Sequence, residues 1–263
     1  MFWQNFLPAP VIFSIGPVSI HWYGLILVLA IIASSLYAKH NLISRVGLSK
    51  RKAEDLFFYV IIFGLIGARF GHVVFFNLAY YIQNPADIIK VWQGGLSIQG
   101  ALLFGLITFI IWARKNKINF WRLTDLVVPS VALGQAIGRW GNYFNQELFG
   151  RPVIWGIPIN QIHRVGGYEQ FSYFHPTFLY ESILNLLVFF TLHKLLKYKL
   201  RIGTLTLLYF GFYSLIRFLM EFVRIDQTFL VFGIRLPQLI SVLVFIGVIY
   251  LIFYINKRET HKS

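Results

Sequence analysis

The sequence predicts an all-α integral membrane protein with about seven transmembrane helices. Two observations carry this reading. Of 263 residues, 57% are hydrophobic and only 13% charged, and the apolar residues gather in blocks about as long as a hydrocarbon core is thick. The basic residues, in turn, crowd into alternate connections between those blocks.

Residues 1–19 are uncharged and rich in proline and aromatics, as in an interfacial segment preceding a first span. No lysine or arginine precedes Lys39, so a cleavable signal peptide with a basic start is not expected. Spans are expected at 20–38, 56–77, 96–113, 123–143, 177–193, 203–222 and 237–256. Of the 24 lysines and arginines, sixteen fall in loops 39–53, 114–122 and 194–201 and in the tail with Lys257, Arg258 and Lys262. Five lie in the opposite loops (Lys90, Arg151, Arg164, Arg224, Arg235), and three lie inside spans (Arg69, Arg139, Arg217). The positive-inside rule therefore places the N-terminus extracytoplasmic and the C-terminus cytoplasmic. It also reads the net charge of +14 as topology and contact with anionic headgroups rather than as a nucleic-acid patch. With no internal repeat or linker, residues 1–263 read as one polytopic domain. An extracytoplasmic head segment of about 145–175 lies between the fourth and fifth spans, placed to act as a lid or as a packed cap.

The absence of cysteine excludes a disulfide scaffold, a thiolate metal site and a cysteine nucleophile, so any thiol chemistry must use the substrate's thiol. The histidines are scattered without ligand spacing, and no nucleotide-binding glycine loop occurs; no metal and no cofactor are expected.

The polar groups inside apolar blocks carry the functional signal, because ionisable residues at membrane depth are costly unless paired or facing a cavity. The densest set is Gly138-Arg139-Trp140-Gly141-Asn142-Tyr143-Phe144-Asn145-Gln146-Glu147-Leu148-Phe149-Gly150. On a continuous helix Arg139, Asn142 and Gln146 share one face, with Gly134, Gly138 and Gly141 on an adjacent strip open to close packing. The set is either a buried polar knot or an anion site in which the Arg139 fork binds a phosphate. Tyr213, Arg217 and Glu221 recur every fourth residue, with Arg224 following: either a self-neutralising Arg–Glu pair, or a glutamate that orients Arg217 toward a site shared with Arg139. Arg69, among Gly64, Gly67 and Gly71, either satisfies neighbouring carbonyls or contributes to the site. Gly94-Gly95-Leu96-Ser97-Ile98-Gln99-Gly100 allows irregular backbone beside a cavity. Tyr23 reads as an interfacial anchor, while His175 and Glu181 read as structural and His72 as core.

The 138–150 stretch resembles the signature G-R-x-G-N-F-x-N-x-E-x-x-G of the prolipoprotein diacylglyceryl transferase family, with Tyr143 in place of phenylalanine. His21-Trp22-Tyr23-Gly24, Gly67-Ala68-Arg69, Gly94-Gly95-Leu96-Ser97, His175-Pro176 with Leu179-Tyr180-Glu181, and Arg217 with Glu221 resemble the same family, so the likeness covers nearly the whole chain. It implies transfer of a diacylglyceryl group from phosphatidylglycerol to the lipobox cysteine of a preprolipoprotein, in the bacterial cytoplasmic membrane. A thioether forms and glycerol phosphate leaves. It further implies catalytic roles for Arg139, Arg217, Tyr23 and Gln99. Substrate-binding roles are implied for Arg139, Asn142, Asn145, Glu147, Gly150, Tyr213, Glu221 and Arg69. Many family members carry a histidine, proposed as a base, where this chain has Gln99, which takes no proton near neutral pH. Tyr23, His21 or the arginine field then assists the thiol. A carrier for an anionic lipid would use the same arginines without chemistry, and the lack of a repeat weighs against it.

Overall fold

The computed structural model describes residues 2–16 and 18–260; Lys262 of the basic tail lies outside them. Helix predominates. The elements run β1 (Val11–Ile15), β2 (Val18–His21), α1 (Trp22–Val46), α2 (Lys50–Phe75), α3 (Leu78–Gln83), α4 (Ile98–Lys115), α5 (Phe120–Phe144), β3 (Pro152–Pro158), β4 (Tyr173–Phe174), α6 (Thr177–Leu195), α7 (Thr204–Met220), β5 (Leu230–Val231), β6 (Ile234–Arg235) and α8 (Leu236–Thr260).

Every expected span falls on one of the long helices. Among the described residues, five of these are long and apolar enough to cross a membrane: α1, α2, α4, α6 and α8, the last over Leu236–Ile255. The chain is a multi-pass membrane protein. The other two are special for physical reasons. Helix α7 is apolar but has only 17 residues, and α5 is 25 residues long but carries Asp125, Gln135, Arg139 and Asn142 together with an internal Pro129.

The chain forms two compact units, one of Lys39–Leu123 and one of Met1–Ala38 with Thr124–Ser263. In the first, Gly47 in the left-handed conformation (φ +69°) ends α1, and Ser49 caps α2 by accepting from the Lys52 amide. Helices α2 and α4 then meet backbone to backbone. A Cβ on Gly100 would lie 2.1 Å from the Gly67 carbonyl oxygen, and one on Gly67 2.5 Å from the Gly100 carbonyl oxygen. Nothing larger fits at Gly67 or Gly100, and a Cβ on Gly71 would lie 3.1 Å from Gly100 Cα, whereas one on Gly64 would meet the Ala101 carbonyl at an ordinary 3.7 Å.

In the second unit Asp125 of α5 reaches the start of α7. Its two carboxylate oxygens accept from the amides of Gly203 (2.6 Å) and Thr206 (2.8 Å) and from the Thr206 hydroxyl (2.7 Å). A helix start leaves amides without intrahelical partners, and a carboxylate there meets both that need and the helix dipole. Between α5 and α6, β3 and β4 pair antiparallel over a small core of Tyr143, Phe149, Ile157, Ile159, Phe174 and Phe178. Gly156 lets β3 press onto the Phe174 backbone, where a Cβ would lie 2.2 Å from its carbonyl oxygen.

Candidate functional site

The signature departs from a continuous helix at its midpoint. Helix α5 ends at Phe144, and Gln146 and Leu148 adopt left-handed backbone (φ 52° and 57°). The expected Arg139–Asn142–Gln146 face therefore does not form. Gln146 instead donates to the Pro8 carbonyl (2.6 Å) and accepts from the Asn160 amide (2.6 Å), tying the N-terminal segment to the 145–175 region. The three glycines of the strip also divide. A Cβ on Gly134 would strike the Ser34 hydroxyl at 2.6 Å and one on Gly141 the Tyr23 ring at 2.7 Å, whereas nothing lies within 4 Å of Gly138's. Gly141 thus admits the Tyr23 ring against α5, within electrostatic reach of Arg139 and Glu147.

The last signature residue has a clear steric role. The Gly150 amide donates to the His175 carbonyl and Arg151 N–H to the Val223 carbonyl, so the end of the signature lies between the start of α6 and the segment after α7. A Cβ on Gly150 would meet His175 Cβ and Val223 Cγ1 at 2.8 Å each. Burial holds the His175 imidazole below its ordinary pKa, and its Nδ1 lies 3.0 Å from the Tyr180 hydroxyl.

This junction brings together the charged residues of α5, α6, α7 and β6. Arg139 pairs with one carboxylate oxygen of Glu181 on α6, and the other oxygen takes Arg224 NH1 at 3.2 Å. Arg217 pairs with one oxygen of Glu221 at the end of α7, and the other takes Arg235 Nε at 2.5 Å. Asp226 joins the halves, 2.7 Å from Arg224 Nε and 3.8 Å from Arg235 NH2. The result is one chain of ion pairs: Arg139–Glu181–Arg224–Asp226–Arg235–Glu221–Arg217. Glu181, Arg224 and Glu221 are its most buried members, with side chains 4%, 4% and 0% exposed, while Arg235 and the central Asp226 are 19% and 26% exposed. Its two terminal arginines retain partial exposure, 19% for Arg139 and 21% for Arg217. Charges removed from water hold together only when each is countered on several sides, and the alternation of signs supplies that. Four arginines against three carboxylates leave one formal positive charge.

The remaining polar signature residues make other contacts. Asn142 donates to Glu147 Oε1 at 2.7 Å. Asn145 and Glu147 line a hollow of about 450 Å³ with Pro10, Phe149 and His163. On the far side of α5 an apolar groove of about 420 Å³ runs along Trp22, Leu25, Leu29, Ile137, Trp140 and Phe144. Trp140 is fixed there by donating to Ser182, which donates to the Ala136 carbonyl. Tyr213 stacks on Tyr209, whose hydroxyl donates to Gln135.

In the Lys39–Leu123 unit, Arg69 is buried and spends its donors on five backbone carbonyls, those of Asp87, Ile88, Lys90, Gly94 and Gly95, with Tyr81 beneath its guanidinium. Gly95 suits this wrap twice over. Its φ is +72°, and a Cβ there would lie 2.9 Å from Arg69 NH1 and 2.6 Å from His72 Nε2. Ser97 caps α4 and donates to Gln99 Oε1 (2.9 Å), which leaves the Gln99 amide hydrogens as donors.

Four members of the ion-pair chain escaped the sequence reading as site residues. Glu181 reads from sequence as structural, Arg224 and Arg235 read only as loop charges or a face neighbour, and nothing in the sequence singles out Asp226. A carboxylate inside the apolar block 177–193 is itself a signal at membrane depth, and Glu181 carried it. Asp226 and Arg235 lie in a connecting segment, where charge is ordinary, and only the fold brings them to Arg217.

Fold and site together define a class: a multi-pass helical membrane protein with an arginine-rich ion-pair chain at the junction of its polar helices. The family model described as prolipoprotein diacylglyceryl transferase matches residues 10–254. The chain is 43% identical over 249 residues to the phosphatidylglycerol–prolipoprotein diacylglyceryl transferase of Staphylococcus haemolyticus (strain JCSC1435), covering 93% of this chain and 87% of that one. It is 39% identical over 250 residues to the protein of the same name from Staphylococcus aureus (strain JH9), covering 93% and 88%. The chain belongs to the prolipoprotein diacylglyceryl transferase family.

Proposed function

We propose that this protein transfers the diacylglyceryl group of phosphatidylglycerol to the lipobox cysteine of preprolipoproteins, the first step of bacterial lipoprotein maturation. The observation that carries the site assignment is the chain of ion pairs ending in two partly exposed arginines, Arg139 and Arg217, each backed by a carboxylate that a second arginine holds. The substrate thiolate attacks the glycerol carbon that bears the phosphoester. The carbon–sulfur bond forms as the carbon–oxygen bond breaks, and the thiol proton passes to the departing phosphate or to solvent. Negative charge grows on the leaving phosphate oxygen, and prepositioned guanidinium groups there stabilise the transition state more than the ground state. A free thiol has a pKa of about 8.5, so the same positive field also favours its reactive form.

Asn142, Asn145, Glu147, Tyr213 and Glu221 shape and hold the arginine site, and Gly150 fixes the junction. Tyr23, packed on Gly141, assists thiol deprotonation. Gln99 offers amide donors to the substrate, held in place by the turn that Arg69 organises. The apolar groove along Trp22 and Ile137 suits an acyl chain. The protein acts as one polytopic domain of the cytoplasmic membrane with seven spans, α5 and α7 completing the set. The N-terminus and the 145–175 segment are extracytoplasmic. Its partners are phosphatidylglycerol, other membrane lipids and lipobox-containing preprolipoproteins; nucleic acid is not among them.

Reconstituted with phosphatidylglycerol and a lipobox peptide, the protein is expected to release glycerol phosphate in one-to-one ratio with thioether formed. A peptide with serine in place of the cysteine is expected to yield neither. Lipid movement across the bilayer without a covalent product would instead mark a carrier.

A further inference from the structure

The ion-pair chain has a two-armed form. One arm runs from Asp226 through Arg224 and Glu181 to Arg139, and the other through Arg235 and Glu221 to Arg217. Both arms meet on a single carboxylate, whose Oδ1 faces Arg224 and whose Oδ2 faces Arg235. Arg235 is bound to this centre more widely, since NH1 donates to the Arg224 carbonyl (2.8 Å) and NH2 to the Asp226 carbonyl (2.7 Å). We infer that Asp226 is the positioning residue that fixes Arg139 and Arg217 relative to one another, although its own ion pairs are with Arg224 and Arg235. This rests on the reading of the two terminal arginines as the phosphate-binding pair.

The physical argument concerns what each group loses without the central charge. Arg224 is buried, and Asp226 gives it its shorter ion pair, 2.7 Å against 3.2 Å to Glu181. A buried guanidinium deprived of one counter-charge turns toward the other. Arg224 would then draw on Glu181, and Glu181 would move its grip on Arg139. The second arm would keep Glu221 and the Arg224 and Asp226 carbonyls, so the arms would stay joined through backbone alone, and the Arg224 and Glu181 side chains that hold Arg139 would lose their fixed relation to it. Burial works against an ionised Asp226, but the Arg224 hydrogen bond and the charges of Arg224, Arg235 and Arg217 hold its carboxyl below the usual range, so it stays charged.

Geometry and charge make opposite demands here, which gives the test its discrimination. Asp226→Asn removes a negative charge and raises the local positive field, so binding of an anionic lipid is not weakened. The same change loosens the spacing that the transition state needs, so turnover falls. The expected result for Asp226→Asn is an unchanged or lower KM for phosphatidylglycerol with kcat reduced on the order of 10–100-fold, since small misplacement of catalytic groups has effects of that size. Asp226→Glu, which restores the charge, is expected to recover part of kcat. Rates are taken per folded protein, measured by size exclusion in detergent. Wild-type kcat in Asp226→Asn would overturn the inference, as would equal loss in the Asn and Glu variants or a raised KM with kcat intact.

A binding arm separates this inference from the functional reading. Short-chain phosphatidylglycerol is titrated into Arg139→Ala, Arg217→Ala and the double variant, with and without Asp226→Asn. Two groups that share one phosphate give non-additive losses, and additivity to within about twofold marks independence. Non-additive losses that become additive in the Asp226→Asn background support the positioning role, even if the wild type forms no thioether and the functional reading falls. Losses equally non-additive in both backgrounds would overturn it.

Discussion

At the scale of single residues, the site is defined by what glycine omits and what glutamate joins. Gly150 occupies a three-way junction where a Cβ would fall 2.8 Å from both His175 and Val223. Gly150→Ala is expected to cost about 1–3 kcal/mol through overpacking, seen as a lower Tm in detergent, and to lower transfer because the signature's end moves off the segment carrying Arg224. Glu181 is buried between two arginines, and Glu181→Gln leaves both less than neutralised. Breaking such a pair costs about 3–5 kcal/mol, so reduced folded yield together with loss of transfer is expected. Retention of full yield and rate would remove Glu181 from the site. Arg139 and Arg217 were legible in the sequence because arginine in an apolar block demands a reason. Glu181, inside the apolar block 177–193, carries the same signal but reads as structural along with His175.

At the scale of elements, helices were legible and the tertiary bonds at their ends were not. The apolar blocks located α1, α2, α4, α6, α7 and α8 because burial in lipid leaves a compositional mark on every turn. The expected span 123–143 stops within a residue of the end of α5 at Phe144, but the turn that follows was not visible, since its left-handed residues are Gln146 and Leu148, neither a usual signal for that conformation. Treating the signature as one helix placed Gln146 with Arg139, whereas tertiary bonds to Pro8 and Asn160 take it elsewhere. The Asp125 cap on α7 also lay beyond the sequence, because the two partners are separated by 78 residues or more. Asp125→Ala would leave two amides and a hydroxyl without their acceptor. The expected loss is about 2 kcal/mol, read as a fall in Tm, with KM for the lipid little changed because the cap contacts neither arm of the ion-pair chain. A large KM change with unchanged Tm would contradict this role.

At the scale of the whole molecule, the basic loops carry the account of topology. Seven spans with the N-terminus outside would place Gln146, Glu147 and Gly150 at the extracytoplasmic face, where a secreted preprolipoprotein presents its cysteine. Reporter fusions are expected to show phosphatase activity after residue 160 and cytoplasmic fluorescence after residue 198. The reverse pattern would put the ion-pair chain at the wrong face for that substrate. Membrane architecture and family were legible because both are written in local pattern, the one in composition and the other in a thirteen-residue signature. The ion-pair chain was legible only at its ends, because its centre is assembled from a connecting segment and the strand before α8.

The central claim is that Arg139 and Arg217 together stabilise the leaving phosphate, and single-turnover mass spectrometry tests it most directly. Enzyme in excess over a lipobox peptide, in phosphatidylglycerol bilayers, is sampled for the diacylglyceryl mass gain on the cysteine. The account predicts that the wild type completes the transfer and that Arg139→Ala and Arg217→Ala each slow it at least about 100-fold, as for removal of an oxyanion donor. Transfer at the wild-type rate by either folded variant would contradict it.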